Sequence, residues 1–156
     1  MNFLSIVIAK YLIFLVIKIP VFYFLIQKRN TQKRMLVFMV LNLALIFIAA
    51  KILSLLYYDP RPFVINHFTP LIPHAADNGF PSDHALLSFA VSFSIYIFNK
   101  KLGLLLMLFG ILIGISRIYV GIHSPVDILG SFLISFLVTA LLYKIFYLKL
   151  IKLLAK

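Results

Sequence analysis

Long apolar runs rich in Leu, Ile, Phe and Val alternate along the chain with short stretches that hold most of its ionisable residues. The runs lie near 3–27, 35–57, 83–99, 102–119 and 125–148. A hydrocarbon core about 30 Å thick needs roughly 20 apolar residues per helix, so the pattern predicts about five transmembrane helices. Within a bilayer each segment must satisfy its own backbone groups, and the alternation that a membrane barrel requires is missing from these runs. The expected fold is all-α, a polytopic membrane helical bundle. The first run is the least regular, because Lys10 and Lys18 interrupt it, Pro20 follows, and no acid there pairs with them. It either spans, with Lys18 facing the bundle interior or snorkelling along its stem, or lies at the interface and leaves four spans.

Composition supports the membrane reading. The 156 residues are 63% hydrophobic and 12% charged, and a mean hydropathy of +1.10 is far above that of a domain with a solvated surface. Without cysteine there is no disulfide framework, thiolate metal site or cysteine nucleophile. No repeat period or low-complexity stretch divides the chain, so 1–156 reads as a single domain. The first cation is Lys10 and no A-x-A-like site follows, so the N-terminus is expected to belong to the mature protein rather than to a cleaved signal.

The net charge of +11 is dispersed between apolar runs rather than gathered into a patch, which argues for topology signals and against a nucleic-acid partner. Lys28, Arg29, Lys33 and Arg34 follow the first run, Lys100 and Lys101 join the third to the fourth, and Lys144, Lys149, Lys152 and Lys156 occupy the tail. All fall on one side of a five-span chain, and an excess of Lys and Arg marks the cytoplasmic side. The loop 58–82 and the turn 117–124 then face outward. In these loops or at the outer helix ends beside them fall all four acids, Asp59, Asp77, Asp83 and Asp127, and all four histidines, His67, His74, His84 and His123, beside Arg61 and Arg117.

Three segments of this outer face carry candidate chemistry: Tyr58-Asp59-Pro60-Arg61-Pro62, Phe80-Pro81-Ser82-Asp83-His84, and Ser116-Arg117 followed by His123 and Asp127. Ser82 stands where the third run begins and reads as its N-cap, while the same helix start offers free N–H groups to an anion. Ser124, Pro125 and Asp127 form a capping-box-like start. Asp127 is also about one turn from His123, so its carboxylate can orient the imidazole as a nucleophile. His84 reads either as an interfacial histidine or, beside a second histidine, as a general acid. Arg61 and Arg117 offer two guanidinium forks that match phosphoryl oxygens, and Lys51 either adds a third cation or snorkels to headgroups.

At these residues the chain resembles the type 2 phosphatidic acid phosphatase family, which shares its site with vanadium haloperoxidases. Ser116, Arg117, His123 and Asp127 match that family's serine-arginine, histidine, aspartate motif in full, and Pro81-Ser82-Asp83-His84 matches its proline-serine-x-histidine motif with aspartate at the variable position. The Phe-Pro-Ser-Asp-His-Ala form looks like the branch of bacterial undecaprenyl-diphosphate phosphatases associated with bacitracin resistance. The resemblance covers about 47–140. In the first motif the family's lysine position falls on Ser54, and the available Lys51 lies one turn earlier.

The resemblance implies that Lys51, Arg61, Ser82, Arg117 and the backbone of Asp83 bind phosphate. It also implies that His84 protonates the leaving group and that His123, oriented by Asp127, attacks phosphorus to give a phosphohistidine that water hydrolyses. Such a route needs no metal and no cofactor. No role follows for His67, His74 or Asp77, which read as loop residues. The expected activity is removal of phosphate from undecaprenyl diphosphate at the outer face of a bacterial-type cell membrane, with the lipid diphosphate and the membrane as partners. The alternatives are phosphatidylglycerophosphate, phosphatidic acid or a lipid A phosphate as substrate, or, in another class, a non-catalytic transporter or lipid-binding protein. Gly110 and Gly114 are expected to permit close packing of the fourth span.

Overall fold

A computed structural model describes residues 2–147, with side chains described to Ile145. It contains α1 (Asn2–Leu25), α2 (Arg29–Leu56), a single turn α3 (Pro62–Ile65), α4 (Asp83–Phe98), α5 (Lys100–Tyr119) and α6 (Pro125–Leu142), the last continued by a π-helical turn, Tyr143–Tyr147. The all-α expectation holds, and the five apolar runs are the five long helices. Four of them are long and apolar enough to cross a membrane, whereas α4 has 16 residues. Lys149, Lys152 and Lys156 of the basic tail lie outside the described residues.

The short helix is the centre of the bundle. α4 packs against α5, α6, α2 and α1, and nine of its sixteen residues are buried, among them Ala85, Ser88, Ala90, Ser92 and Ser94. Small side chains let neighbouring backbones approach, and the buried hydroxyls of Ser88, Ser92 and Ser94 donate to the carbonyls of His84, Ser88 and Ala90 at 2.6–2.8 Å. Asn42 of α2 donates to Ser94 of α4 and Thr139 of α6 at 2.8 and 2.9 Å, tying three helices through one amide. A Cβ at Gly103 would lie 2.4 Å from Tyr96 Cα, and one at Gly110 would lie 3.0 Å from Phe89. Gly114, in contrast, faces Ile128 of α6. Both glycines of the expected pair therefore sit at close helix contacts, against different partners.

That packing also sets what lies opposite what at the far end. The pairs Gly103/Tyr96 and Gly110/Phe89 share one antiparallel register, which one further heptad places Arg117 across from Ser82. On that register Asp83, the first residue of α4, stands across from Ser116, three residues before the end of α5 at Tyr119, so α4 begins about 4.5 Å below the end of α5 at 1.5 Å per residue. The recess this leaves is roofed by the 57–82 segment.

α1 buries Ala9, Ile13, Val16 and Pro20, one stripe along its length. Ile13 and Val16 pack with Leu106 and Ile113 of α5, and Tyr119 Oη donates to Asn2 Oδ1 at 3.2 Å. α1 thus lies alongside α5 rather than across its end, which favours the spanning alternative over the interfacial one. Lys10 and Lys18 are both exposed on its outer face. Lys18 does not face the bundle interior, so its charge reaches the interface only by snorkelling.

Candidate functional site

The end of α5 builds half of the site. Gly121 has φ +84°, a left-handed conformation that glycine adopts without penalty. Its N–H donates to Ile118 O at 2.9 Å, and the Ile122 N–H donates to Arg117 O at 3.3 Å, the paired bonds of a Schellman termination. This turn closes α5 just after Arg117 and delivers His123 to the start of α6. There Ser124 and Asp127 form the expected capping box, with Pro125 in the first turn. The carboxylate does more than cap: Asp127 Oδ2 accepts from the Ser124 N–H at 2.8 Å and lies 3.0 Å from His123 Nδ1. An ionised carboxylate there accepts a hydrogen bond from Nδ1–H, which keeps the proton on Nδ1 and leaves Nε2 with its lone pair.

His123 is 2% exposed and Asp127 1%, so their contact is made largely out of reach of bulk solvent. Burial, the largest influence, and the charges of Arg117 and Arg61 push His123 below its ordinary 6.5, while the bond to Asp127 opposes them. The net result favours a neutral imidazole.

The 57–82 segment builds the other half. Arg61, 5% exposed, donates from Nε to Asp77 Oδ1 at 2.7 Å, from Nη1 to Ile122 O at 2.8 Å and from Nη2 to Asn78 O at 3.4 Å. Nη1 is also 3.4 Å from His123 Nε2. Asn78 pins the segment to the end of α2: its amide donates to Ser54 O and Tyr57 O, and its carbonyl accepts from Asp59 N and Phe80 N, all within 3.0 Å. Asp59 receives the Ser124 hydroxyl at 2.6 Å, and Gly79 packs so closely that a Cβ there would lie 2.9 Å from Asp127 Oδ2.

These two halves enclose a cavity of about 500 Å³ lined by Arg61, Arg117, His84, His123, Asp83 and Lys51, and also by Ser54, His74, Asp77 and Asn78. Phe47, Ala50, Phe80 and Pro81 supply its apolar wall. The structure therefore brings together His84, His123, Arg61, Arg117, Asp83 and Lys51, as the sequence predicts, with Asp127 directly behind His123. Ser82 is next to the cavity but does not cap as expected. Its amide donates to Asp127 O at 3.4 Å and its carbonyl accepts from Ser131 Oγ at 3.0 Å. Those bonds to α6 fix its backbone, and its hydroxyl is buried with no partner among the described residues. Ser116 is likewise buried, its hydroxyl donating to Ile113 O within its own helix at 2.7 Å.

Two residues lie in the loop as expected but do more than the sequence foretold. His74 and Asp77 both line the cavity, and the His74 ring meets that of His123 at 6.2 Å between centroids. Loss of hydration and the Arg61 charge push His74 below 6.5, and the hydrogen bond from Arg61 holds Asp77 below 3.8. Their contacts reach across 16 residues or more, which no local spacing announces. His67, exposed with φ +52°, lies outside the cavity as expected.

A profile of the PAP2 superfamily matches residues 34–150, and the chain belongs to that family. It is 45% identical over 93 residues to the undecaprenyl-diphosphatase BcrC of Bacillus subtilis strain 168, covering 60% of this chain and 48% of that protein. It is 37% identical over 111 residues to the BcrC of Bacillus licheniformis, which is named a bacitracin transport permease protein, covering 70% of this chain and 55% of that one. The chain thus spans about half the length of these curated relatives. Aquifex aeolicus LpxE, a crystal structure, shares the fold with a TM-score of 0.73 over 92% of this chain and 85% of its own, at 24% identity.

Proposed function

We propose that the protein is a membrane lipid phosphatase that hydrolyses undecaprenyl diphosphate to undecaprenyl phosphate at the outer membrane face, through a phosphohistidine. The observation that carries this reading is the His123–Asp127 pair, 3.0 Å apart and buried, opening on a cavity lined by two buried arginines and a second histidine in a PAP2 chain. The name of the B. subtilis relative supports the substrate. The basic links at the opposite end of the bundle support the outward orientation.

In this mechanism His123 Nε2 attacks the terminal phosphorus while the bond to the bridging oxygen breaks. The lipid phosphate leaves with a proton from His84. His123 turns cationic as its Nε2 bonds phosphorus, and ionised Asp127, accepting from Nδ1–H, balances that charge. Arg61, Arg117, the Asp83 N–H and the orphaned Ser82 hydroxyl bind phosphoryl oxygens, with Lys51 beside them. Water then attacks the phosphohistidine, gives its proton to neutral His84 and releases inorganic phosphate. The lipid chain leaves along the apolar wall of Phe47 and Ala50.

Phosphate release from undecaprenyl diphosphate by purified protein in detergent with chelator tests this reading. Wild type is expected to turn over and His123→Ala to lose about 10³-fold or more. Release that survives loss of both His84 and His123 would remove the mechanism. No release from this lipid, with release from phosphatidylglycerophosphate, phosphatidic acid or a lipid A phosphate, would keep the mechanism and change the substrate.

A further inference from the structure

Between Ile72, buried against Val120 and Ile122, and the four-bond anchor of Asn78, residues 73–77 form an exposed turn. Two side chains of this turn reach the buried site: His74, whose ring meets that of His123, and Asp77, whose Oδ1 accepts from Arg61 Nε, with the Asp77 side chain 60% exposed and that of Arg61 6%. An acid lining a cavity meant for an anion works against ground-state binding by like-charge repulsion. Its presence there needs a compensating role, and the geometry points to one.

A guanidinium has five donors in a rigid plane. Arg61 reaches the cavity on a long flexible stem, and the orientation of that plane decides whether Nη1 lies beside the nucleophile. Without Asp77, Nη1 keeps Ile122 O at 2.8 Å and Nη2 keeps only a long bond to Asn78 O at 3.4 Å, which leaves the plane loosely held. The short bond at Nε, 2.7 Å to Asp77, fixes its orientation. We propose that Asp77 is a positioning residue: it locks the Arg61 fork so that Nη1 stays beside His123 Nε2, where phosphoryl oxygens gather as phosphorus becomes five-coordinate. The proposal rests on the phosphatase reading only in taking the site to hold a phosphoryl group. Asp77 itself touches no reacting atom. Its benefit falls on the transition state, in which equatorial charge meets the oriented fork, more than on the ground state.

Orthovanadate, whose five-coordinate adducts imitate this transition state, is the probe, titrated into the purified full chain in detergent beside turnover measurements. Asp77→Asn, which keeps the shape and loses the charge, is expected to weaken vanadate binding and lower kcat by on the order of 10-fold, with KM moving less than about 2-fold. Asp77→Glu should recover part of kcat, a rescue that a purely structural role would not give. In an Arg61→Lys background, which has no Nε–H to hold, Asp77→Asn should cost under about 2-fold. Equal losses in both backgrounds, or a loss in KM alone, would overturn the role. If wild type binds no vanadate, the phosphoryl site falls and this role with it. Binding without coupling between positions 61 and 77 removes the role alone.

Discussion

From Ser116 to Ser131 the site is held by neighbours in sequence. Asp127 reaches His123 four residues away and the Ser124 N–H three away, and Ser131 Oγ returns to Asp127 O. From Asp59 to Gly79 the reverse is true: Arg61 depends on Ile122, 61 residues off, and Asp59 on Ser124, 65 residues off. The first segment can form its His123–Asp127 pair as soon as two helices end and begin. The second acquires its geometry only when the bundle has closed. A site divided this way holds the proposed nucleophile through local bonds, while the Arg61 side remains sensitive to packing at distant positions.

The largest effect expected within the local segment is that of Asp127→Asn. It leaves the helix start nearly isosteric, but removes the charge that fixes the His123 tautomer and balances the cation formed on attack, so kcat should fall by on the order of 10²–10⁴-fold with KM little changed. pH separates this from simple misfolding. In the proposed mechanism the nucleophile is neutral His123, whose proton affinity lies below 6.5 in the folded site, so the acid limb of the wild-type kcat/KM, set by protonation of His123, should lie below pH 6.5. Asp127 is the one influence among the causes named for His123 that raises its affinity. Its loss should therefore move the acid limb to still lower pH while the plateau drops. A limb that moves upward would show that Asp127 does not face His123 in the working enzyme.

The same division explains what was legible in the sequence. The five helices were, because apolar length is a local property, and so were His123, Asp127 and their capping box, because a four-residue spacing is one helical turn. Gly121 carried a readable signal, a glycine directly after an apolar helix, whose Schellman turn explains why five residues separate Arg117 from His123. His74, Asp77, Asn78 and Gly79 were not legible: each matters through residues that chain spacing does not bring near. The Ser82 cap failed for a related reason, since tertiary bonds to Asp127 and Ser131 fix its backbone. The packing of α1 along α5, which bears on the choice between a spanning and an interfacial first helix, is a tertiary contact that no hydropathy window contains.

Gly79 is where the two segments touch, and it sharpens the contrast. Gly79→Ala would set a Cβ 2.9 Å from Asp127 Oδ2 and 3.1 Å from Asp59 O. The backbone oxygen cannot move far, because the Gly79 N–H is bonded to it at 2.8 Å, so the carboxylate must give. A displacement of a few tenths of an ångström in the group that holds His123 should lower kcat by roughly 10-fold, with melting temperature little altered. Unchanged turnover would mean that Asp127 tolerates the shift and that the segments are mechanically independent.

The smallest effect belongs to the displaced lysine. Lys51 and Ser54 are three residues apart on α2 and both line the cavity, so the helix presents either position to the same space. Lys51 is exposed, and an exposed cation on a flexible stem is a weak, solvent-screened partner for phosphate. Lys51→Ala should therefore raise KM by a few-fold and leave kcat within about 2-fold, the signature of binding shared equally by ground and transition states. Adding Ser54→Lys to that variant returns a cation one turn nearer the outer end, at the family's usual position, and should restore KM. If it restores nothing, Lys51 serves through its own place on α2, beside Phe47, and the shift by one turn is a requirement of the substrate rather than a tolerated slip.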